Sequence, residues 1–429
     1  MPMNILYLKP EEQIIHEIAQ SRQEGKPVTE IEREWDLLIS EGHSVLELRN
    51  GAERLLNQLG ELQPDRSLLS AEPSDLDTIR ARSRANELEN QSGSLSEGIL
   101  LDRIHGGWLG RAAGCLLGKP VEKIGRTGIR EILTVNDHWP LAGYFTARGV
   151  PDEVLNLYPW NRHGGVESLK ENITCMPEDD DMNYPIVNLV VAEKYGPVFE
   201  TEDIADVWLR TLPVMTTFTA ERVAYVNALK LVPISECATT DNPYREWIGA
   251  QIRADMWGWL ACGNPSLASQ YAWRDARLSH TRNGIYGEMF FAAAIAVAAV
   301  SEDLEHILTT ALKVVPGESR FVKSIMSAMA IARDNGDWET VVDRLYVEHA
   351  DLFWVHTINN AALVTAALIH GNGDVESTIC SVVMGGWDAD CNGATAGSIL
   401  GTMKGKGALP AKWIGPLNNC LRSSVTGFD

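Results

Sequence analysis

The sequence predicts an all-α protein, a compact multi-helix bundle, on three observations. Apolar residues recur at helical spacing, as in Ile14, Ile15, Ile18 and Ala19 and again in Ile31, Trp35, Leu38 and Ile39. Two apolar runs, residues 289–300 (MFFAAAIAVAAV) and 361–369 (AALVTAALI), are rich in alanine and read as helices buried on nearly all sides. Apolar/polar alternation over strand lengths is rare.

The elements follow in order. Residues 1 to about 60 are charged and helix-prone, with Gly25-Lys26-Pro27 separating two amphipathic stretches. Residues 62–98 are polar and contain Pro64 and Pro73, so a connector with at most one weak helix is expected there. Small and apolar residues take over at Ile99. The expected organisation is thus a helical extension and connector over residues 1–95, and a main domain over 96–429. In DRIHGGWLGRAAGCLLGKPVE, Gly106, Gly110, Gly114 and Gly118 form one continuous stripe on a helix. Gly393, Gly397 and Gly401 repeat the pattern near the carboxyl end. Each internal glycine costs about 1 kcal/mol relative to alanine. Two such stripes therefore imply an offsetting gain, most simply close backbone approach in a tightly packed helical centre.

Composition narrows the partners. The chain has 429 residues, with 37 Lys plus Arg against 58 Asp plus Glu, a formal charge of -21. Such a surface repels nucleic-acid backbones and anionic lipid and leaves open a local basic pocket for a small anionic molecule. The longest strongly apolar run, residues 290–300, is too short to span a bilayer. No basic segment followed by a long apolar stretch opens the chain. Seven scattered cysteines without a Cys-x-x-Cys pair point to a reducing, cytoplasmic compartment rather than a disulfide framework or a structural zinc site.

Two acidic segments carry the candidate chemistry. Pro177-Glu178-Asp179-Asp180-Asp181 places four carboxylates in a row directly before a helical pattern, with Asp180 or Asp181 the expected N-cap. In Gly385-Gly386-Trp387-Asp388-Ala389-Asp390-Cys391-Asn392, the glycines allow a sharp turn and the two aspartates can converge on one point from a loop entering a helix. A calcium loop of the EF-hand type is disfavoured, because Ile399 stands where the bidentate Glu would be needed. Together the segments suit hard oxygen-loving cations, Mg²⁺ first with Mn²⁺ or Ca²⁺ as alternatives, in a centre of two ions about 4 Å apart. Trp247, Trp257, Trp259 and Trp273 lie close together in sequence, and core packing is the expectation for them.

The segments DRIHGGWLGRAAGCLLGKPVE, EDDDMNYPIVNL, SHTRNGIYGEMFFAAAIA and GGWDADCNGATAGSILG resemble, in order, four landmark segments of the ADP-ribosylglycohydrolase family. The resemblance implies an all-α fold with two Mg²⁺ at the bottom of a cleft, and cleavage of the anomeric bond of ADP-ribose. By position, Asp179 and Asp180 match the family's first metal-binding pair, and Asp388 and Asp390 the second. Glu178 and Asp181 replace threonines of the first loop, while Ala389 and Cys391 replace those of the second. The implied metal side is Glu178, Asp179, Asp180, Asp388, Asp390 and Cys391, with Glu178 supplying what a soft thiol cannot. Glu122 matches a Glu beside the metals and, with Asp180, is the implied catalytic pair. Gly249 and Arg253 fall in a segment like the family's diphosphate-side Asn-Gly-x-x-Met-Arg. His280, Tyr286 and Glu288 fall in the segment lining the cleft, and Gly385 and Gly386 complete the expected substrate side.

The implied function is a metal-dependent hydrolase of an ADP-ribosyl or related ribosyl bond. A non-catalytic ADP-ribose-binding module and a glycosidase for another nucleoside-like compound are the alternatives.

Overall fold

The computed structural model describes residues 5–93, 95–162 and 164–428. Among them are 21 α-helices and no β-strand; two isolated bridges, Met176 to Leu421 and Trp247 to His356, are the extent of β-pairing. No helix of the described residues is long and apolar enough to cross a membrane.

The helix Arg282–Ala298 is the hub of the main body, with every residue buried, as its alanine-rich sequence predicts. Around it pack Ala254–Leu260, Pro265–Ala276, Leu304–Ala311, Thr357–Gly371 and Ala389–Lys404. Thr357–Gly371 is the second alanine-rich run, buried along almost its whole length.

The two glycine-striped helices, Glu97–Gly118 and Ala389–Lys404, run antiparallel in backbone contact. Gly106 faces Gly401, Gly110 faces Gly397, Gly114 faces Gly393, and Gly118 faces Ala389. A Cβ at any of these glycines would lie under 3.0 Å from a carbonyl oxygen of the opposing helix. The stripes therefore exchange side-chain volume for dispersion contact between the backbones.

The amino-terminal segment forms three helices, Pro10–Gln23, Thr29–Ser40 and Val45–Glu61, around a small core of Ile14, Ile18, Ile31, Trp35, Leu55 and Leu59. Ile15 and Ile39 face solvent instead. Gly25 has φ 73° at the break before the second helix. The segment docks through buried polar contacts: Gln20 Nε2 donates to Glu246 Oε1 at 2.8 Å, and Arg245 pairs with Glu17 at 2.6 Å and Glu24 at 2.7 Å. The connector holds two short helices, Arg66–Ala71 and Leu76–Arg82, where at most one was expected. Side-chain caps explain both. Asp65 accepts from Ser67 N at 2.8 Å and Asp75 accepts from Thr78 N at 2.8 Å, satisfying first-turn donors that polar sequence otherwise leaves to water.

Gly110→Ala or Gly397→Ala is expected to cost about 3 kcal/mol or more, because the obstacle is backbone that cannot yield. Gly60→Ala, in a helix with nothing within 4 Å of the added Cβ, serves as the control and should be neutral or stabilising by about 0.5–1 kcal/mol. Urea unfolding of the three variants checks this; similar stabilities for Gly110→Ala and Gly60→Ala would refute the packing account.

Candidate metal centre

The backbone contact at Gly118 brings the end of one striped helix against the start of the other, at Ala389 and Asp390. Glu122, just beyond Gly118, thereby meets Asp388 and Asp390, and Lys119 comes under the charge of Asp390. A third element enters from the helix Asp180–Tyr195. Its N-cap is Asp179 rather than Asp180 or Asp181: the Asp179 carboxylate accepts from Asp181 N at 2.9 Å, one residue earlier than the charge pattern alone indicates. The register follows from the extended backbone of Asp179, φ -159°, which only a residue outside the helix can adopt.

The second loop is held on a tight turn. Gly386 has φ 78° and Trp387 φ 52°, two successive left-handed residues, the second costly for a side chain of that size. The turn is braced by Tyr346, whose ring stacks on Trp387 at 4.4 Å and whose hydroxyl donates to Gly385 O at 2.9 Å. Asn360 fixes the far side, its Oδ1 accepting from Asp388 N at 3.1 Å and from Asn392 Nδ2 at 2.7 Å.

The carboxylates then crowd together. Ligand atoms of Glu122, Asp388 and Asp390 lie within 4.8 Å of one another, as do those of Asp181, Asp390 and Cys391, and those of Cys115, Asp179 and Asp181. Two fixed cations answer part of this charge. Arg111, fully buried on the first striped helix, pairs with Asp181 and Asp255, each at 2.8 Å. The Lys119 ammonium pairs with Asp179 and donates to Glu178 O at 3.1 Å. Glu122 accepts from Asn161 Nδ2 at 2.5 Å and pairs with Lys123 at 3.0 Å. Burial pushes Asp181 up to about 8 even against Arg111. Burial and then Glu122 push Asp388 up to about 7 and raise Asp390 well above the carboxylate range. Asp180 is raised well above that range by burial, with Asp179 and Asp181 adding to it. The Cys391 thiol is raised well above its ordinary value by burial.

The donor set fits a hard divalent cation at Glu122, Asp388 and Asp390: three oxygen ligands, mutually repelling, converge on one point. The two other groups each contain a thiol and an aspartate already paired with Arg111. They suit such an ion less well.

The site opens into a cavity of about 340 Å³. Glu122, Glu178, Asp179, Asp180, Gly249, Asp388, Asp390 and Cys391 line it. The remaining expected residues do not. Arg253 is fully buried on Asp275 at 3.0 Å and Glu221 at 2.7 Å, with Glu288 at 3.5 Å. His280 is buried with Nδ1 2.8 Å from Ser279 Oγ, and the Tyr286 hydroxyl donates to Pro73 O. Gly385 and Gly386 shape the turn and stay outside the lining. The reason is common to all six: helix packing and the turn aim these positions away from the hollow, a direction that segment order does not encode.

Several contributors lie outside the expected set. Arg111 stands out in retrospect as a charge inside a small-residue stripe, and Lys119 as the residue that opens Lys-Pro-Val-Glu. Tyr7 and His16 reach the cavity from the amino-terminal segment and carry no local signal. Trp247 is buried in the core as expected and also lines the cavity.

Residues 96–427 match the ADP-ribosylglycohydrolase family, and the chain belongs to it. The fold is the all-α fold of that glycohydrolase family, which is typically metal-dependent. A solved ADP-ribosylglycohydrolase-related protein complex aligns at 20% identity over 74% of this chain and 92% of that chain, with a TM-score of 0.46. No curated protein gives a significant match.

Stability should respond to pH and cation together. Carboxyls with raised folded pKa cost nothing while protonated, and that cost grows as pH rises from about 4 through the values near 7 for Asp388 and 8 for Asp181. Without divalent ions the melting temperature is therefore expected to fall from pH 5 to pH 8. Millimolar Mg²⁺ should restore a few degrees at pH 8 and little at pH 5, where protons compete. Scanning calorimetry measures this, and an equal Mg²⁺ effect at both pH values would contradict it.

Proposed function

We propose that the cavity hydrolyses the glycosidic bond of a ribosyl compound, with a hard divalent ion, Mg²⁺ first, held by Glu122, Asp388 and Asp390. The observation that carries this reading is the clustering of those three carboxylates, ligand atoms within 4.8 Å of one another, in the lining of one cavity in a chain of the ADP-ribosylglycohydrolase family. The ion, when bound, supplies positive charge for the sugar hydroxyls and a site for water. Cleavage passes through an oxocarbenium-like state, which negative side chains stabilise. Asp180 is the proposed acid. It lines the cavity, forms no ion pair among the described residues, and burial with Asp179 and Asp181 beside it raises its proton affinity, as a proton donor to the leaving group requires. Glu122 is held at the cavity edge by Asn161 and Lys123, in position to accept a proton from an attacking water.

The sequence suggests two ions; this reading takes one. A second would have to displace the Lys119 ammonium from Asp179. Residues 96–429 are taken as the glycohydrolase unit and 1–95 as an extension, within a reducing cytoplasmic setting that suits the seven free cysteines.

Asp180→Asn and Asp390→Asn should each lower turnover of a ribosyl substrate by about 10²-fold or more while the variants still unfold cooperatively. Undiminished activity in both would sink the hydrolase. Tight ligand binding by the wild type without turnover would instead support the binding module. Elemental analysis after Mn²⁺ loading should find one ion per chain in the wild type and two in Lys119→Met; two ions in both would remove Lys119 from its assigned place.

A further inference from the structure

The cavity has a second face, and the amino-terminal segment builds part of it. Tyr7, His16, Trp247 and Phe353 all line the hollow. The His16 ring lies 5.0 Å from Trp247 and 5.2 Å from Phe353, and Trp247 stacks on Phe353 at 5.0 Å with 21° between planes. Burial lowers His16 to about 4, so the imidazole is uncharged at neutral pH. Tyr7 and His16 precede the residues shared with the family, which begin at 96. Docking of their segment through Gln20, Glu17 and Glu24 keeps them over the site.

Charge selects what can enter. Seven carboxylates and two lysines line the cavity. Both lysines are engaged, Lys119 on Asp179 and Lys123 on Glu122. No arginine lines it among the described residues. Arg253 is spent on Asp275 and Glu221 in the core, and Arg222 on the carbonyls of Leu6, Met215 and Thr217. A diphosphate would thus meet a negative lining without a guanidinium or ammonium free to receive it. A flat ring, neutral or cationic, meets His16, Trp247 and Phe353 in a lining rich in carboxylates, which favours stacking and cation–π attraction, while the Tyr7 ring already carries the Arg222 guanidinium at 5.4 Å. The volume of about 340 Å³ lies at the small end for ligand sites and suits a compact molecule.

We propose that the substrate is a non-phosphorylated N-riboside, its flat neutral or cationic base seated against Tyr7, His16, Trp247 and Phe353 and its ribose over the carboxylates. This rests on the glycosidase reading above and narrows it.

The test is a calorimetric titration of the full chain in Mg²⁺ with adenosine, nicotinamide riboside, ADP-ribose and free ribose. At least one riboside is expected to bind tenfold or more tightly than ADP-ribose. His16→Ala should weaken that riboside by about tenfold and leave ribose unchanged, since only the ring is lost from the stack. Phe353→Leu provides the same comparison if the first variant unfolds. ADP-ribose binding as tight as either riboside, no binding of either riboside, or equal loss of riboside and ribose affinity in the variants overturns the proposal. ADP-ribose preference with turnover leaves the glycosidase standing; the expected binding pattern without cleavage of any riboside removes the glycosidase and keeps the pocket.

Discussion

The arrangement depends on two helices touching through their backbones. Carbonyl oxygens of Glu97–Gly118 occupy the space that Cβ atoms of Ala389–Lys404 would need, and the reverse holds. That contact fixes the antiparallel register. The register in turn sets Glu122, just beyond one helix's end, against Asp388 and Asp390 at the other's beginning. A larger residue anywhere along the stripe would separate the helices at the point where the carboxylates must meet. The glycines thus hold together a cluster of charges that would otherwise drive the helix ends apart.

The charge problem is handled unevenly. Arg111 and Lys119 pair with two of the four carboxylates of the first loop, Asp181 and Asp179, from within the fold. Glu122, Asp388 and Asp390 are left with like neighbours and raised proton affinity at the last two. A fixed guanidinium is part of the covalent chain and cannot leave, so it serves structure. In that trio only Glu122 has an ion-pair partner among the described residues, Lys123, so an exchangeable cation gains most there. Such asymmetry separates a scaffold from a site within one continuous patch of acid.

The amino-terminal helices enter this account through contact rather than through shared motif. They keep their own small core, yet Tyr7 and His16 line the same cavity as Asp388 and Asp390 near the other end of the chain. Buried polar pairs such as Gln20 with Glu246 orient the segment more strictly than an apolar patch would, because each donor must find its acceptor.

The amino-acid sequence by itself determined the helical class, the buried alanine-rich centre, the glycine stripes and the two acidic loops. Each is written in local spacing, which a helix or a turn converts directly into a face or a point. Tertiary structure alone decided which side chains look into the hollow. Arg253, His280, Tyr286 and Glu288 sit in the expected segments but face the core, since the outward side of a helix is set by its neighbours. It also decided that Asp179 caps its helix, that Lys119 and Arg111 answer the first loop, and that Tyr7 and His16 reach a site hundreds of residues away. Those outcomes depend on contacts between distant segments, for which nearest-neighbour pattern holds no record.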